Sequence, residues 1–364
     1  MCNLNCVYCY QKHDSYSRMN FETAKRVIDE IMRTIPSDRE GIVFSLIGGE
    51  PLLEFELIKQ IYDYAKALET SIPVSFFATT NGTVLTDDMK RWFADRKDSF
   101  ILGLSIDGKR ETHNHNRSNS FDLIDIQFFL QNWPLQGVKM TLSDYSMYHL
   151  ADDVIALHEM GFKNVRGVNF DEQDFETPKE KYVNVLVPQL DKLSKFYAND
   201  TNGYYNQALS KRIDLCAQER RVPHKWCGTG VYTPFYDYDG KRYPCPYMTP
   251  MTFTQEQLDL VSKIDFSDVE VFTDRDCFEN CYLYPICSSC AGANLKANGA
   301  LNQYNKSKCI LTRLFALFTA ETHARRILLH PEYYKDERHL FYTIQAIEDI
   351  RSKYLDEFKM YLKE

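Results

Sequence analysis

The first ten residues, MCNLNCVYCY, hold three of the chain's eleven cysteines, and Cys2, Cys6 and Cys9 follow a C-x3-C-x2-C spacing. Three thiolates within eight residues can wrap one corner of a cluster or metal ion. The next cysteine is Cys216, so the stretch supplies no fourth ligand of its own. A structural site is normally closed by four protein ligands, whereas chemistry at a metal needs an open position. A [4Fe-4S] cube held by three cysteines would leave one iron free for a small molecule. The other eight cysteines are Cys216, Cys227, Cys245, Cys277, Cys281, Cys287, Cys290 and Cys309. Their short spacings fit iron–sulfur clusters and also fit zinc.

Composition narrows the setting. A chain of 364 residues can bury a large core and a smaller second unit. Apolar residues make up 44% and charged residues 26%, ordinary for a soluble globular protein. The formal net charge of −8 argues against nucleic acid or an anionic membrane as the main partner. No apolar run approaches the ~18 residues of a membrane span, and no basic-then-apolar signal segment opens the chain. The expected location is cytoplasmic. There, reduced and clustered cysteines read as metal or iron–sulfur ligands and not as a disulfide framework.

The elements that must carry these residues alternate. Apolar periodicity predicts helices over 20–36, 54–69, 85–97, 120–132 and 147–160. Short apolar runs predict strands over 42–47, 73–79, 100–106, 138–142 and 164–170. Such alternation implies parallel strands with crossover helices. A further strand would be expected just before the cysteine loop, where this chain has only Met1. The loop is therefore expected to be the least well-held part of the chain. Residues 171–223 read as a mainly helical bridge. From Trp226 to Cys309 the texture is glycine, proline, tyrosine and cysteine, a stretch that needs metal or clusters to fix it. Residues 309–330 and 336–362 are again helical by pattern.

Three further motifs lie at predicted strand ends, where parallel sheets bind ligands. They are Gly48-Gly49-Glu50-Pro51, Thr79-Thr80-Asn81-Gly82-Thr83, and Ser105-Ile106-Asp107-Gly108 with His113 and Arg117 following. Each alone reads as a turn or a surface residue. In this order behind C-x3-C-x-aromatic-C, met by Cys2, Cys6, Tyr8 and Cys9, the set resembles the radical S-adenosylmethionine (SAM) superfamily. The resemblance implies that the cube's open iron is chelated by SAM. It further implies that Tyr8 shields the cluster and contacts the adenine. Gly48, Gly49 and Glu50 would lie near the SAM amino group, Asn81 in a turn near the cofactor, and Ser105 and Arg117 at its ribose and carboxylate. An arginine suits a carboxylate because its planar fork binds two oxygens. The fold implied is α/β, a partial (β/α)6 TIM-like barrel lacking its first strand.

The C-terminal cysteines resemble a SPASM domain, the auxiliary-cluster module of radical SAM enzymes that modify peptides and proteins. Cys227, then Gly240, then Cys245 match its first half, and Cys277, Cys281, Cys287, Cys290 and Cys309 its second, with the x2 and x3 intervals exchanged. The resemblance implies two auxiliary [4Fe-4S] clusters. One would use Cys227, Cys245 and Cys290 with Cys216 as a candidate fourth ligand; the other would use Cys277, Cys281, Cys287 and Cys309. The expected units are the barrel (1–175), a bridge (176–223), the SPASM domain (224–312) and C-terminal helices (313–364). The implied activity is reductive cleavage of SAM to a 5′-deoxyadenosyl radical that crosslinks, for example by a thioether, a ribosomally made precursor peptide. Implied partners are an electron donor such as flavodoxin or ferredoxin, and a separate leader-binding protein if the barrel does not bind the leader itself. The alternative is an anaerobic sulfatase-maturating enzyme. In that subgroup an aspartate, the proposed base, follows the YPC cysteine; here Pro246 follows Cys245. No catalytic base is identified by the sequence.

Overall fold

The computed structural model describes residues 1–11, 17–170, 179–218 and 221–359. Helix α1 (Phe21–Thr34) starts where the Asn20 side chain accepts from the Thr23 amide, and buries Ala24, Val27 and Ile28. There follow β1 (Ile42–Leu46), α2 (Phe55–Ala67), β2 (Val74–Thr80), α3 (Asp87–Ala94) and β3 (Phe100–Leu104). The next elements are α4 (Arg110–Asn116), α5 (Ile126–Asn132), β4 (Val138–Leu142), α6 (Leu150–Glu159) and β5 (Asn164–Phe170). The five strands fall where apolar patterning predicts them. Helix α4 was not predicted, because HNHN carries no apolar period, and the helix expected over 120–132 is confined to α5.

Strands β1, β2 and β3 form one parallel sheet in that order. The expected helical bridge contributes α7 (Lys179–Ala198) and then a short strand, β6 (Tyr205–Asn206), which extends a second parallel sheet β4-β5-β6. Two polar residues in a tyrosine-rich loop give no strand signal. A parallel bridge from Ser105 to Lys139, with the Ile106 amide on the Lys139 carbonyl at 2.9 Å, links the two sheets. Along β2, Val74, Phe76, Ala78 and Thr80 are buried while Ser75, Phe77 and Thr79 are half-open. One face of the strands thus packs under helices and the other stays accessible, the alternation a pleated strand imposes.

Beyond the bridge lie a hairpin, β7 (Phe235–Tyr236) and β8 (Arg242–Tyr243), and helices α8 (Gln255–Val261), α9 (Arg275–Asn280) and α10 (Ala291–Asn298). Helices α11 (Cys309–Leu329) and α12 (Glu337–Phe358) close the described chain. These two are not a separate layer: Leu314, Phe318, Ala346 and Ile350 share one apolar core with α7 and the sheets. A smaller core around Met248, Phe253, Phe272 and Leu295 belongs to the cysteine-rich region.

Candidate active site

The cysteine loop is tied down along its length, contrary to the expectation of a poorly held terminus. The Glu50 amide donates to the Met1 carbonyl at 2.9 Å, and the Val7 amide to the Asn116 carbonyl at 3.0 Å. Asn3 accepts from Asn81 Nδ2 at 3.0 Å and donates to Thr83 Oγ1 at 2.8 Å. The Asn5 amide donates to Ser118 Oγ at 2.9 Å, and Gln11 Nε2 to the Gly48 carbonyl at 3.0 Å. Leu4 is buried. Each partner belongs to one of the three strand-end motifs or to the stretch that follows the third. Side-chain and backbone ties to neighbouring strand ends hold the loop in place.

Gly49 is what lets the loop come this close. A Cβ there would stand 2.3 Å from the Met1 carbonyl oxygen and 2.7 Å from Cys2 Cβ. Gly48 faces open space and is exposed. The Glu50 carboxylate, expected at the SAM amino group, is turned inward and buried. It accepts from the Leu52 amide at 3.1 Å, Thr80 Oγ1 at 2.8 Å and the Asn81 amide at 2.7 Å. Burial still raises its pKa above the ordinary carboxylate value, the three donors only reducing the rise. Asn81 Oδ1 accepts from both the amide and the hydroxyl of Thr83, so its side chain serves the turn and the loop.

Asp107 is the hub of the third motif. It is fully buried and accepts from Tyr8 Oη at 2.5 Å, Arg117 Nε at 3.0 Å, Arg117 Nη2 at 3.1 Å, Asn116 Nδ2 at 3.2 Å and the Thr141 amide at 3.0 Å. The Arg117 fork, expected at the SAM carboxylate, is therefore engaged by a protein carboxylate, and it also lies over the Tyr8 ring at 5.4 Å. Buried guanidinium and buried carboxylate compensate each other's desolvation. His113 is buried behind them, accepting from the Asp107 amide through Nδ1 and paired with Ser120 through Nε2. Burial pushes its pKa down to about 4, so it is neutral at neutral pH. Ser118 and Asn119 follow with φ near +56° and +55°, a left-handed turn that aims Ser118 Oγ at the loop. Among the cofactor residues named from sequence, Ser105 is the one whose hydroxyl has no partner among the described residues.

Cys6 feels the charge of Cys9 and Cys2, and Cys2 that of Cys9; burial raises Cys2 above its ordinary value and Cys6 to about 11. Such thiols deprotonate on binding a cationic metal centre. Among the described residues no three His, Cys, Asp or Glu converge on a single metal ion. All three loop cysteines are free thiols, none engaged in a disulfide. One residue the sequence did not flag, Lys139, stands on the accessible sheet face beside Ser105. Its Nζ donates to Thr79 Oγ1 at 2.8 Å, and burial lowers its pKa. The alternation of VKMTL was the available signal: Lys139 and Thr141 share the non-core face.

The second cysteine group divides. Cys277, Cys281, Cys287 and Cys309 are near neighbours, with Cys287 sensing the other three thiols and burial pushing it up to about 11. Lys306 Nζ donates to Cys277 Sγ at 2.8 Å. Cys216 is buried and lies within charge range of Cys281. It packs in the same apolar cluster as Cys281, Leu283 and Ile286, and the neighbouring Arg221 donates to the Cys281 carbonyl at 3.2 Å. Cys245 instead packs with Ala291 and Tyr247 in the second core. Tyr10 joins the two regions: its ring is 6.2 Å from Tyr247, and its hydroxyl, raised mainly by burial, senses both Cys9 and Cys245.

With three strand-end motifs gathered on a three-cysteine loop, comparison with known proteins gives the class. Over residues 1–124 the chain matches the family model of the radical SAM superfamily. It is 23% identical over 338 residues to a cysteine-type anaerobic sulfatase-maturating enzyme of Clostridium novyi, covering 82% of this chain and 86% of that protein. It is 25% identical over 214 residues to the radical SAM cyclopropyl synthase TigE of Paramaledivibacter caminithermalis, 45% of each. Its fold is similar to that of anSMEcpe with bound AdoMet, with a TM-score of 0.66 at 18% identity over 92% of this chain and 97% of that one. SuiB of Streptococcus suis bound to precursor peptide SuiA is similar with a TM-score of 0.56 at 14% identity, over 85% and 73%.

Proposed function

We propose that this radical SAM enzyme binds SAM at a [4Fe-4S] cluster on Cys2, Cys6 and Cys9 and installs a crosslink, such as a thioether, in a ribosomally made peptide. The observation that carries the reading is the convergence of residues 48–51, 79–83 and 105–118 on the cysteine loop. Tyr8, Gly48, Gly49, Ser105 and the Nη1 edge of Arg117 would face SAM, with Glu50 and Asn81 acting through the loop they hold. SAM bound at a reduced cluster supplies a 5′-deoxyadenosyl radical. The chain's own part is to fix the loop, shape the accessible sheet face for the peptide and keep water from the radical.

The two sheets fit a partial (β/α)6 barrel over 1–175, extended by β6 from the 176–223 bridge. Residues 224–312 fit a SPASM unit with two auxiliary clusters. A crosslink that removes two hydrogens leaves one electron and one proton after the first hydrogen is abstracted. Auxiliary clusters would carry that electron away, and a ferredoxin or flavodoxin would supply the reducing electron. A separate leader-binding protein remains part of the proposal. Sulfatase maturation is the second reading, favoured by the match to the Clostridium novyi enzyme over most of both chains. Against it stands Pro246, which cannot act as a base where that subgroup carries an aspartate. Anaerobic incubation with SAM, reductant and a cysteine-bearing sulfatase peptide separates the two by mass spectrometry. Conversion of cysteine to an aldehyde would replace the crosslinking reading; an unmodified sulfatase peptide beside active SAM cleavage supports it.

A further inference from the structure

The position expected of Cys216 leaves a question at the other auxiliary site. With Cys216 packed against Cys281, the set Cys227, Cys245 and Cys290 lacks a fourth cysteine. Their three segments do come together. The Gly230 amide donates to the Pro244 carbonyl at 2.9 Å, and Gly292 lies against Tyr247 and Met248. One cavity in this region is lined by His224, Lys225, Cys227, Ser289, Ala291 and Tyr304, so it spans the 224–227 stretch and both neighbours of Cys290.

His224 stands in that cavity three residues before Cys227, an H-x2-C spacing. Its ring is braced by Tyr284 at 4.8 Å and Trp226 at 5.1 Å between centroids. Nδ1 lies 3.3 Å from the Val222 carbonyl, which can only accept, so Nδ1 carries the proton. That leaves the Nε2 lone pair available, the tautomer found in metal-bound histidines whose other nitrogen is held by a carbonyl. Nε2 is buried and has no hydrogen-bond partner among the described residues. A buried acceptor without a partner costs stability unless something occupies it.

We propose that His224 Nε2 is the fourth ligand of the auxiliary cluster held by Cys227, Cys245 and Cys290. The inference rests on the auxiliary-cluster reading. A neutral imidazole in place of a thiolate makes the cluster less negative and raises its reduction potential. This cluster would then accept an electron more readily than its all-cysteine neighbour.

The test uses the full chain with Cys2, Cys6 and Cys9 changed to alanine, so that only the C-terminal clusters contribute. Iron is counted, and pulsed electron paramagnetic resonance is recorded after reduction with natural and 15N-histidine label. The expected result is a histidine-nitrogen coupling that changes with the label. In His224→Cys it disappears while the iron count holds and the higher of the two potentials falls. A full iron count with no histidine coupling, or a coupling that survives in His224→Cys, overturns the assignment and leaves the clusters standing. Iron absent from these cysteines overturns both.

Discussion

Asp107 and Gly49 each serve many contacts through one residue, and single changes there have defined outcomes. Asp107→Asn breaks the fork to Arg117 and leaves a buried guanidinium uncompensated; the expected loss is about 3–5 kcal/mol, read by denaturant unfolding. Gly49→Ala drives a methyl into the Met1 backbone, which cannot yield without moving the loop. That variant should lose about four irons per chain, one cube, with the C-terminal clusters intact. Asp153 gives a pH signature. It is buried on α6, one oxygen accepting from the Lys109 amide at 2.9 Å and the other without a partner among the described residues, and burial raises its pKa to about 7. A raised carboxyl contributes stability below the ordinary value near pH 4, and that contribution is lost as pH rises through about 7, at roughly 1.4 kcal/mol per unit. Asp153→Asn should therefore gain on the native chain between about pH 5 and pH 7 in unfolding experiments; a constant difference would contradict the assignment.

The elements show which parts of the architecture patterning can reach. Strands β1 to β5 were legible because apolar runs bounded by glycine and polar turns leave little else for them to form. Helix α4 and strand β6 were not, since tertiary pairing and not local pattern makes them. The same limit applied to motif roles. Spacing singled out Glu50, Asn81 and Arg117, but only the packed structure reveals that Glu50 holds the Asn81 amide, Asn81 holds Asn3, and Nε and Nη2 of Arg117 hold Asp107. The hairpin β7–β8 makes a similar point about Gly240. It has φ +80°, and a Cβ there would lie 2.5 Å from Arg26 Nη2, which donates to the Asp239 carbonyl across the seam with α1. Gly240→Val should combine left-handed strain, roughly 1–3 kcal/mol, with loss of the Arg26 contact to the Asp239 carbonyl in the hairpin that leads to Cys245. A lower melting temperature with less C-terminal iron is the expected outcome, and wild-type values for both would show that the seam is dispensable.

In the whole molecule, the cysteine loop, the parallel sheets and the cysteine-rich region meet around Tyr10, so the first ten residues join two centres. A sequence read without its tertiary contacts makes those residues a loose end; the packed structure ties them to Glu50, Asn81, Thr83, Asn116 and Ser118. The most direct measurement is the release of 5′-deoxyadenosine and methionine from SAM by the anaerobically reconstituted and reduced chain. Stoichiometric or catalytic release is predicted for the native chain, and none for a variant with Cys2, Cys6 and Cys9 changed to alanine that still holds its C-terminal iron. No release from a native chain carrying a full loop cluster, or release that persists in the triple variant, would contradict the assignment of this site.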